Sequence, residues 1–424
     1  MRVDFPPDPA YKGPAMKLLV FAHTPPPTHG QSLMVQLMIE GFGGDARQAT
    51  PPDPPPRFGI ECYHVNARLS QGFDDIGSMR PGKVWRVLAL AAQAVTLRLR
   101  YGIRVLYYVP SPPKRASLYR DWLVLGLCRP WFGRLVLHWH AVGLGEWLEH
   151  EAQPWERALS RWLLGRADLS LAVSEFSRAD AERLSPRRTS VVLNGLPDPC
   201  PDYEQSVAPR RTARADLRRR LFAAEAGSAV PASPNGLAGP DPATARVLYM
   251  THCRREKGLF DAIEGVRLAR ETLARRGTPL NLVLRVAGDF PSETDRQEFA
   301  RCQAEAGDWL QSLGFLDTPA KQQEQAQADL FLFPSYYPTE SLSVAVLEAM
   351  AYGLPVVATR WRATPEALPA GYDGLVDPRQ PDQIAAALLK LLGDDGRSVR
   401  LEYCRRFTIE PHWQSLAAAL RTLG

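Results

Sequence analysis

Residues 331–359 read FLFPSYYPTESLSVAVLEAMAYGLPVVAT. The run FLF is short and apolar, SYYPTES supplies breakers, and SLSVAVLEAMAY (341–352) has helical spacing. Gly353 and Pro355 then stop the helix and VVA restarts an extended run, so the stretch predicts one βαβ unit. Its helix is expected to begin near Ser341 to Ser343, where unpaired N–H groups and the positive end of the helix dipole attract a phosphate. Glu340 lies at that start and Glu348 eight residues on, up to roughly 12 Å along the axis at the helical rise. That exceeds the roughly 5 to 9.5 Å of a hydrolase carboxylate pair, so the two do not form one acid/base couple. They suit instead the two ends of a long ligand with an anionic middle and a polyol at each extremity. A nucleotide-sugar has that layout of sugar, diphosphate and ribose.

Glu340, seven residues and Glu348, followed by AMAYGLPVVAT, PEAL (365–368) and DGLV (373–376), resemble the donor-binding signature of retaining GT-B glycosyltransferases of family 4. Within that family FPSYYPTESLSVAVLEAM is similar to a bacterial surface-polysaccharide subgroup, group 1, and the resemblance extends over most of the chain from Met16. It implies an α/β protein of GT-B fold, with two Rossmann-like domains whose parallel sheets face a central cleft. The expected boundaries are 16–200 for an acceptor-side domain, with the C-terminal helix 406–424 packing back on it, and 246–405 for a donor-binding domain. Between them, 203–245 is rich in Arg, Ala, Pro and Gly and reads as a disordered inter-domain insertion, with room for one short basic helix.

Composition fits this expectation. A chain of 424 residues with 45% hydrophobic residues has the length for two cores. A net charge of +5 suits anionic substrates or an anionic membrane surface and is too small to argue for nucleic acid. Six cysteines lie scattered without a C-x-x-C pair, reading as reduced thiols of a cytoplasmic protein. The leader 1–15 is proline-rich and has no apolar core, so neither a signal peptide nor a folded element is expected there. The longest apolar run, VLALAAQAVTL (87–97), is too short to cross a bilayer.

In chain order, KLLVFAH followed by TPPPTHGQS and LMVQLMIEGF predicts a first βα unit with Gly30 in its loop. The family loop has two adjacent glycines near the donor phosphates and the acceptor; here Gly30 is followed by Gln31. Residues 43–59 read as a breaker-rich surface loop. KVWRVLALAAQAVTLRLRYG (83–102) reads as a basic amphipathic helix, expected to pack on its own sheet and in a minor reading to touch lipid. RLVLHWHAVGLGEW (134–147) ends a strand with His138 and His140 on one face. No third or fourth ligand is spaced to join them, and no D-x-D occurs anywhere, so no metal is expected. In RVLYMTHCRREKGLF, Arg254, Arg255 and Lys257 fall in a loop after a strand, where cations suit a departing diphosphate.

What the resemblance implies for the site is residue-specific. Glu348 would bind ribose hydroxyls, Glu340 donor-sugar hydroxyls, and the N–H groups near Leu342 and Ser343 a phosphate. Lys257, whose pairing with Gly258 is in register with the family, would neutralise the diphosphate. Arg255 would share that task, because Thr251-His252 stands where the family has Gly-Arg. His140 matches the family's strand-end histidine that reaches the transferred sugar or the acceptor, with His138 as the fallback. The implied reaction is retaining, metal-free and without a cofactor: same-face attack with the leaving phosphate taking the acceptor proton. The implied partners are a nucleotide-sugar donor and a glycan or lipid-linked glycan acceptor of cell-envelope or exopolysaccharide biosynthesis, met in the cytoplasm or at the inner face of its membrane by peripheral contact. A transferase for a small soluble acceptor and a catalytically silent nucleotide-sugar-binding partner stay open. A dinucleotide oxidoreductase is disfavoured because no G-x-G-x-x-G follows the first strand.

Overall fold

The structure, a computed structural model, describes residues 15–26, 29–48, 57–68, 81–223 and 243–423. The leader through residue 14, residues 49–56 of the breaker-rich loop and residues 224–242 of the expected insertion lie outside the described residues. The chain divides into two compact units, Met1–Gly195 with Ile409–Gly424, and Leu196–Thr408.

The first unit runs β1 (Met16–Ala22), α1 (Gly30–Gly41), β2 (Ile60–Asn66), α2 (Pro81–Tyr101), β3 (Val105–Tyr108) and α3 (Arg115–Cys128). It continues with β4 (Arg134–Trp139), α4 (Leu144–His150), α5 (Pro154–Leu163), β5 (Leu169–Ala172), α6 (Glu175–Glu182) and β6 (Thr189–Val191). The six strands pair in parallel in the order β2-β1-β3-β4-β5-β6. β3 and β5 are buried at every position, as apolar strands covered on both faces must be. Ser174 caps α6, its side chain accepting from the Ser177 amide at 3.0 Å.

The second unit runs α7 (Tyr203–Ser206), α8 (Ala208–Ala223), β7 (Thr244–Met250), α9 (Leu259–Arg276), β8 (Asn281–Ala287), α10 (Glu293–Ala306) and β9 (Leu310–Gly314). Then come α11 (Thr318–Gln327), β10 (Leu330–Phe333), α12 (Val344–Ala351), β11 (Val356–Thr359), α13 (Thr364–Ala367), β12 (Leu375–Val376), α14 (Pro381–Leu391) and α15 (Arg397–Arg406). Its six strands are also parallel, in the order β12-β11-β10-β7-β8-β9. Two six-stranded parallel sheets layered with helices are the two Rossmann-like units of a GT-B fold. The last helix, α16 (Ile409–Arg421), belongs to the first unit. Trp413 on it donates to the Leu37 carbonyl at 2.8 Å, and a Cβ at Gly41 would lie 2.1 Å from its indole, so only glycine lets α16 approach α1 there.

One expectation needs correction. Residues 203–223 are not disordered: they form α7 and α8, and α8 is built into the second unit. Leu217 and Leu221 join that unit's apolar core. The arginines that suggested a solvated run are buried instead: Arg214 and Arg218 pair with Asp329 at 2.8 and 2.6 Å, and Arg211 donates to the Ala328 carbonyl at 2.8 Å. Burial alone would raise the Asp329 pKa, but Arg218 and Arg214 outweigh it and hold the carboxyl well below the usual range. A charged helix face can enter a core when every guanidinium finds a fixed acceptor, which composition does not reveal.

Candidate functional site

In the second sheet the chain leaves β7 through β8 and β9 and returns to β10 on the other side of β7, so the strand order switches between β7 and β10. At such a switch the loops after the two strands part and leave room for a ligand at the carboxyl ends. These loops are residues 251–258 and 334–343, and two contacts tie them together. The Tyr336 amide donates to the Glu256 carbonyl at 2.8 Å. Gly258, at φ 75°, comes so close to Pro334 that a Cβ would lie 2.1 Å from its carbonyl oxygen.

This junction pairs two of the residues singled out in the sequence. The Lys257 ammonium meets Glu340 Oε2 at 2.7 Å, and Ser335 Oγ donates to the same oxygen at 2.6 Å. Both bonds fall on Oε2, and neither engages Oε1 of Glu340. The ammonium also lies 4.8 Å from the centre of the Tyr337 ring. Tyr337 is fixed in turn, its carbonyl accepting from Trp361 Nε1 at 2.8 Å. A cation and a carboxylate held against each other, with Glu340 only 7% exposed, form a preorganised polar pair and not a solvated charge cluster.

The helix beyond this loop begins at Val344 with Ser343 as its N-cap, and the Ser343 side chain makes no capping hydrogen bond. Leu342 is buried. α12 therefore begins four residues past Glu340, one residue beyond the expected window of Ser341 to Ser343, in which only the N-cap falls. Glu348, one turn further, pairs through Oε1 with Lys321 of α11 at 2.5 Å. Arg255 lies apart from the Lys257–Glu340 pair: its guanidinium bonds Glu298 and covers the Phe260 ring at 4.5 Å, half exposed. The structure thus joins Lys257 to Glu340, gives Glu348 a separate partner, and turns Arg255 toward the surface of α10.

Sequence reasoning missed Ser335, Tyr337, Trp361 and Lys321. Ser335 and Tyr337 stand inside the quoted stretch, but their role follows from the bend of the loop and not from their spacing. Lys321 lies 27 positions before its partner, on another helix, and nothing local marks it.

The first unit holds the other candidates. Its strand order switches between β1 and β3. Gly30 is the first residue of α1, whose N-terminus is capped by His29: the ring Nδ1 accepts from the Ser32 amide at 3.2 Å, and the His29 amide donates to Ser32 Oγ at 3.0 Å. One amide of the first turn of α1, that of Ser32, is thus engaged by an imidazole that stacks on His23 at 5.2 Å. His138 and His140 lie ring to ring at 4.1 Å where β4 ends. His138 is buried with its Nδ1 bonded to the Tyr107 hydroxyl, whereas His140 is half-buried. Burial, reinforced by His412 and His29, pushes the His140 pKa down to about 3. Burial likewise lowers His412 to about 4 and carries His138 well below its ordinary value. These imidazoles are neutral at pH 7, able to donate or accept a hydrogen bond without carrying charge.

Among the described residues no group of three or more His, Cys, Asp or Glu side chains is placed to hold a metal ion, and all six cysteines are free thiols. No helix among the described residues is long and apolar enough to cross a membrane.

Comparison with known proteins bears on the second unit. Residues 244–394 match the family described as glycosyl transferases group 1. The group 1 match contains Lys257, Glu340 and Glu348 and ends within the second unit. Two curated relatives are similar to this chain: a D-inositol 3-phosphate glycosyltransferase of Corynebacterium jeikeium, 42% identical over 98 residues, and the amylovoran biosynthesis glycosyltransferase AmsK of Erwinia amylovora, 28% identical over 170 residues. The aligned stretches cover 23% and 39% of this chain, and 23% and 40% of the two relatives. The chain thus matches less than half the length of either. Among solved structures, HepE of Anabaena in complex with UDP superposes with a TM-score of 0.60 at 18% identity, covering 96% of this chain and all of that one. At that identity the likeness is one of fold.

Proposed function

We propose that the protein is a retaining glycosyltransferase that moves a sugar from a nucleotide-sugar to a polysaccharide or lipid-linked oligosaccharide acceptor in cell-envelope or exopolysaccharide biosynthesis. The observation that carries this reading is the Lys257–Glu340 pair at the switch point of the second sheet, beside the N-terminal end of α12 and inside the group 1 match. The name of AmsK supports a polysaccharide product, and UDP bound to HepE supports a nucleotide-sugar donor.

Each side chain then has a defined task. The ammonium of Lys257 offsets the charge that grows on the diphosphate as the glycosidic bond to the donor breaks, and Arg255 adds a weaker, more distant field. Oε1 of Glu340 accepts from a donor-sugar hydroxyl while Ser335 and Lys257 hold Oε2 in place. N–H groups around Leu342 and Ser343 take a phosphate oxygen, and Glu348, oriented by Lys321, accepts from the ribose hydroxyls. Neutral His140 and the loop at Gly30 are assigned to the transferred sugar or the acceptor. The leaving phosphate accepts the acceptor's proton on the face from which it departs, so no carboxylate base is assigned and no divalent ion is required. The reaction is placed in the cytoplasm, at the inner face of its membrane.

The test is donor-dependent transfer measured with UDP-, GDP- and ADP-sugars on wild type, Lys257→Ala and Glu340→Ala. Folded variants that retain wild-type transfer overturn the assignment. Loss of transfer on chelation, restored by manganese, overturns the metal-free route.

A further inference from the structure

Between residues 81 and 134 the chain carries ten Lys and Arg side chains and a single acid, Asp121. That acid is fully buried, its oxygens taken by the Tyr108 hydroxyl, by Ser111 and by Arg120. This segment therefore presents cations to solvent with no carboxylate of its own among them. It also presents large apolar side chains: Leu99 is 63% exposed and Trp131 50%, and Trp162 on the neighbouring α5 is 72% exposed.

Hydrogen bonds join these positions into one surface. Arg98 Nε donates to the Trp131 carbonyl at 2.8 Å, fastening α2 to the turn after α3. Arg129 in that turn donates to the carbonyls of Trp162 and Gly165 at 3.0 and 3.1 Å, fastening the same turn to the end of α5. Between α3 and α5 opens a groove of about 650 Å³ with Leu125, Leu163 and Leu184 among its lining residues and Arg161, Trp162 and Arg166 at its lip. Arg183, further along, is engaged by Glu149. Arg129 and Arg166 also line an adjoining notch of about 180 Å³, where Arg134 and Arg187 reach Asp168 at 3.4 and 3.1 Å. Two guanidiniums thus share one carboxylate, with Arg129, held by backbone carbonyls, and Arg166 lining the same notch, so cations there outnumber acids.

The segments that form this surface lead into β3, β4 and β5, so it lies at the amino ends of the strands. One strand length, roughly 20 Å, separates it from the edge that carries His140. It is not part of the site described above.

We propose that this face docks on an anionic phospholipid bilayer, with a lipid phosphate in the arginine notch and the end of an acyl chain in the adjoining groove. The chemistry of the face selects that occupant. Tryptophan and arginine together favour the headgroup region, where an indole is half in hydrocarbon and a cation meets anionic lipid. A groove with an apolar floor and a cationic lip matches an amphiphile with a charged head, and a cluster of arginines in excess over acids matches a phosphate. A bilayer supplies both partners at once over the whole breadth from Leu99 to Trp162. The inference deepens the membrane placement proposed above by naming the face that makes the contact, and its test reads vesicle binding without sugar transfer, so its failure leaves the transfer reading standing.

The test is co-sedimentation of the full chain with vesicles of phosphatidylcholine alone and of phosphatidylcholine with phosphatidylglycerol, at low and high salt. Two variants accompany it: Leu99→Ser with Trp162→Ser, and Arg161→Glu with Arg187→Glu, all at exposed positions, with folding checked by thermal melting. The expected result is binding to the phosphatidylglycerol vesicles only, weakened by salt and reduced at least about ten-fold in the charge-reversed variant, since each cation near an anionic surface contributes on the order of 1 kcal/mol. Failure to bind phosphatidylglycerol vesicles at low salt overturns the proposal, as does equal binding by both variants and wild type. Self-association of the wild type that both variants abolish, with no vesicle binding, would make the face an interface between copies and overturn it too.

Discussion

The two sheets have the same parallel topology and treat polar groups at their carboxyl ends in opposite ways. In the second unit the ends of β7 and β10 hold charges in pairs, Lys257 with Glu340, and the body of the unit is pinned by Arg214 and Arg218 on Asp329. In the first unit His138 and His140 at the end of β4, and His412 on α16, are imidazoles that burial keeps uncharged. A paired charge holds a fixed orientation and field at the cost of needing its partner. A neutral imidazole gives up the field and keeps a hydrogen bond. One architecture can therefore offer an electrostatic clamp on one unit and a charge-neutral polar surface on the other.

This contrast is most exposed to challenge at the buried arginine cluster. Asp329→Ala strands two buried guanidiniums and is expected to cost the second unit about 4 kcal/mol, enough to prevent stable folding, because removing one member of a buried ion pair leaves the other uncompensated. Urea denaturation followed by circular dichroism measures this, and a loss below about 1 kcal/mol would show that the arginines find water instead. Next in size is Lys257→Ala, expected to lower sugar transfer about 100-fold, the scale of losing one preorganised donor to a developing charge. Combining it with Glu340→Ala should cost far less than the product of the two single effects, since they act as one unit. An additive double variant would separate the pair.

A third expectation probes the contrast through pH. His138 and His412 have folded pKa values below the ordinary 6.5, so below that pH the unfolded chain binds protons that the folded first unit refuses. Stability is full above pH 6.5 and falls as acid is added, by about 1 kcal/mol for each histidine between pH 6.5 and 5.5. Asp329 differs in being a depressed carboxyl, whose contribution is present above pH 3.8 and lost only below it. Melting temperatures followed from pH 7.5 to 4.5 should therefore drop in the wild type through the histidines, and less in His412→Asn. A flat profile down to pH 5 would sink the neutral-histidine account. The smallest effect is expected at Arg255, where Glu298 already neutralises a half-exposed guanidinium: Arg255→Ala should reduce transfer only a few-fold. A loss equal to that of Lys257→Ala would move Arg255 into the clamp.

The surface assigned to lipid belongs to neither pattern. In its notch Arg134 and Arg187 share the single carboxylate of Asp168 and Arg129 is held by backbone carbonyls, so cations outnumber acids there without the one-to-one pairing of the second unit.

Local sequence was enough to specify the βαβ unit at 331–359, because breakers and helical spacing there leave the backbone little choice. β10, α12 and β11 fall where FLF, the helical stretch and VVA place them, and Ser174 caps its helix because capping is a contact three residues long. The alternating strands and helices were legible for the same reason, as were Lys257 in a loop after a strand, Glu340 at the approach to a helix and Glu348 within that helix. Which of them meet depended on the assembled fold. Lys257 and Glu340 are joined by a strand order that brings β7 beside β10, whereas Arg255, two residues away, is drawn off by Glu298. The assembled fold also set the fate of α8, whose arginines read as solvent-facing until Asp329 and the Ala328 carbonyl turned up 111 to 117 positions later in the chain. Propensity and pattern act over a few residues. The sign of a buried charge's contribution depends on partners that only the folded chain brings near.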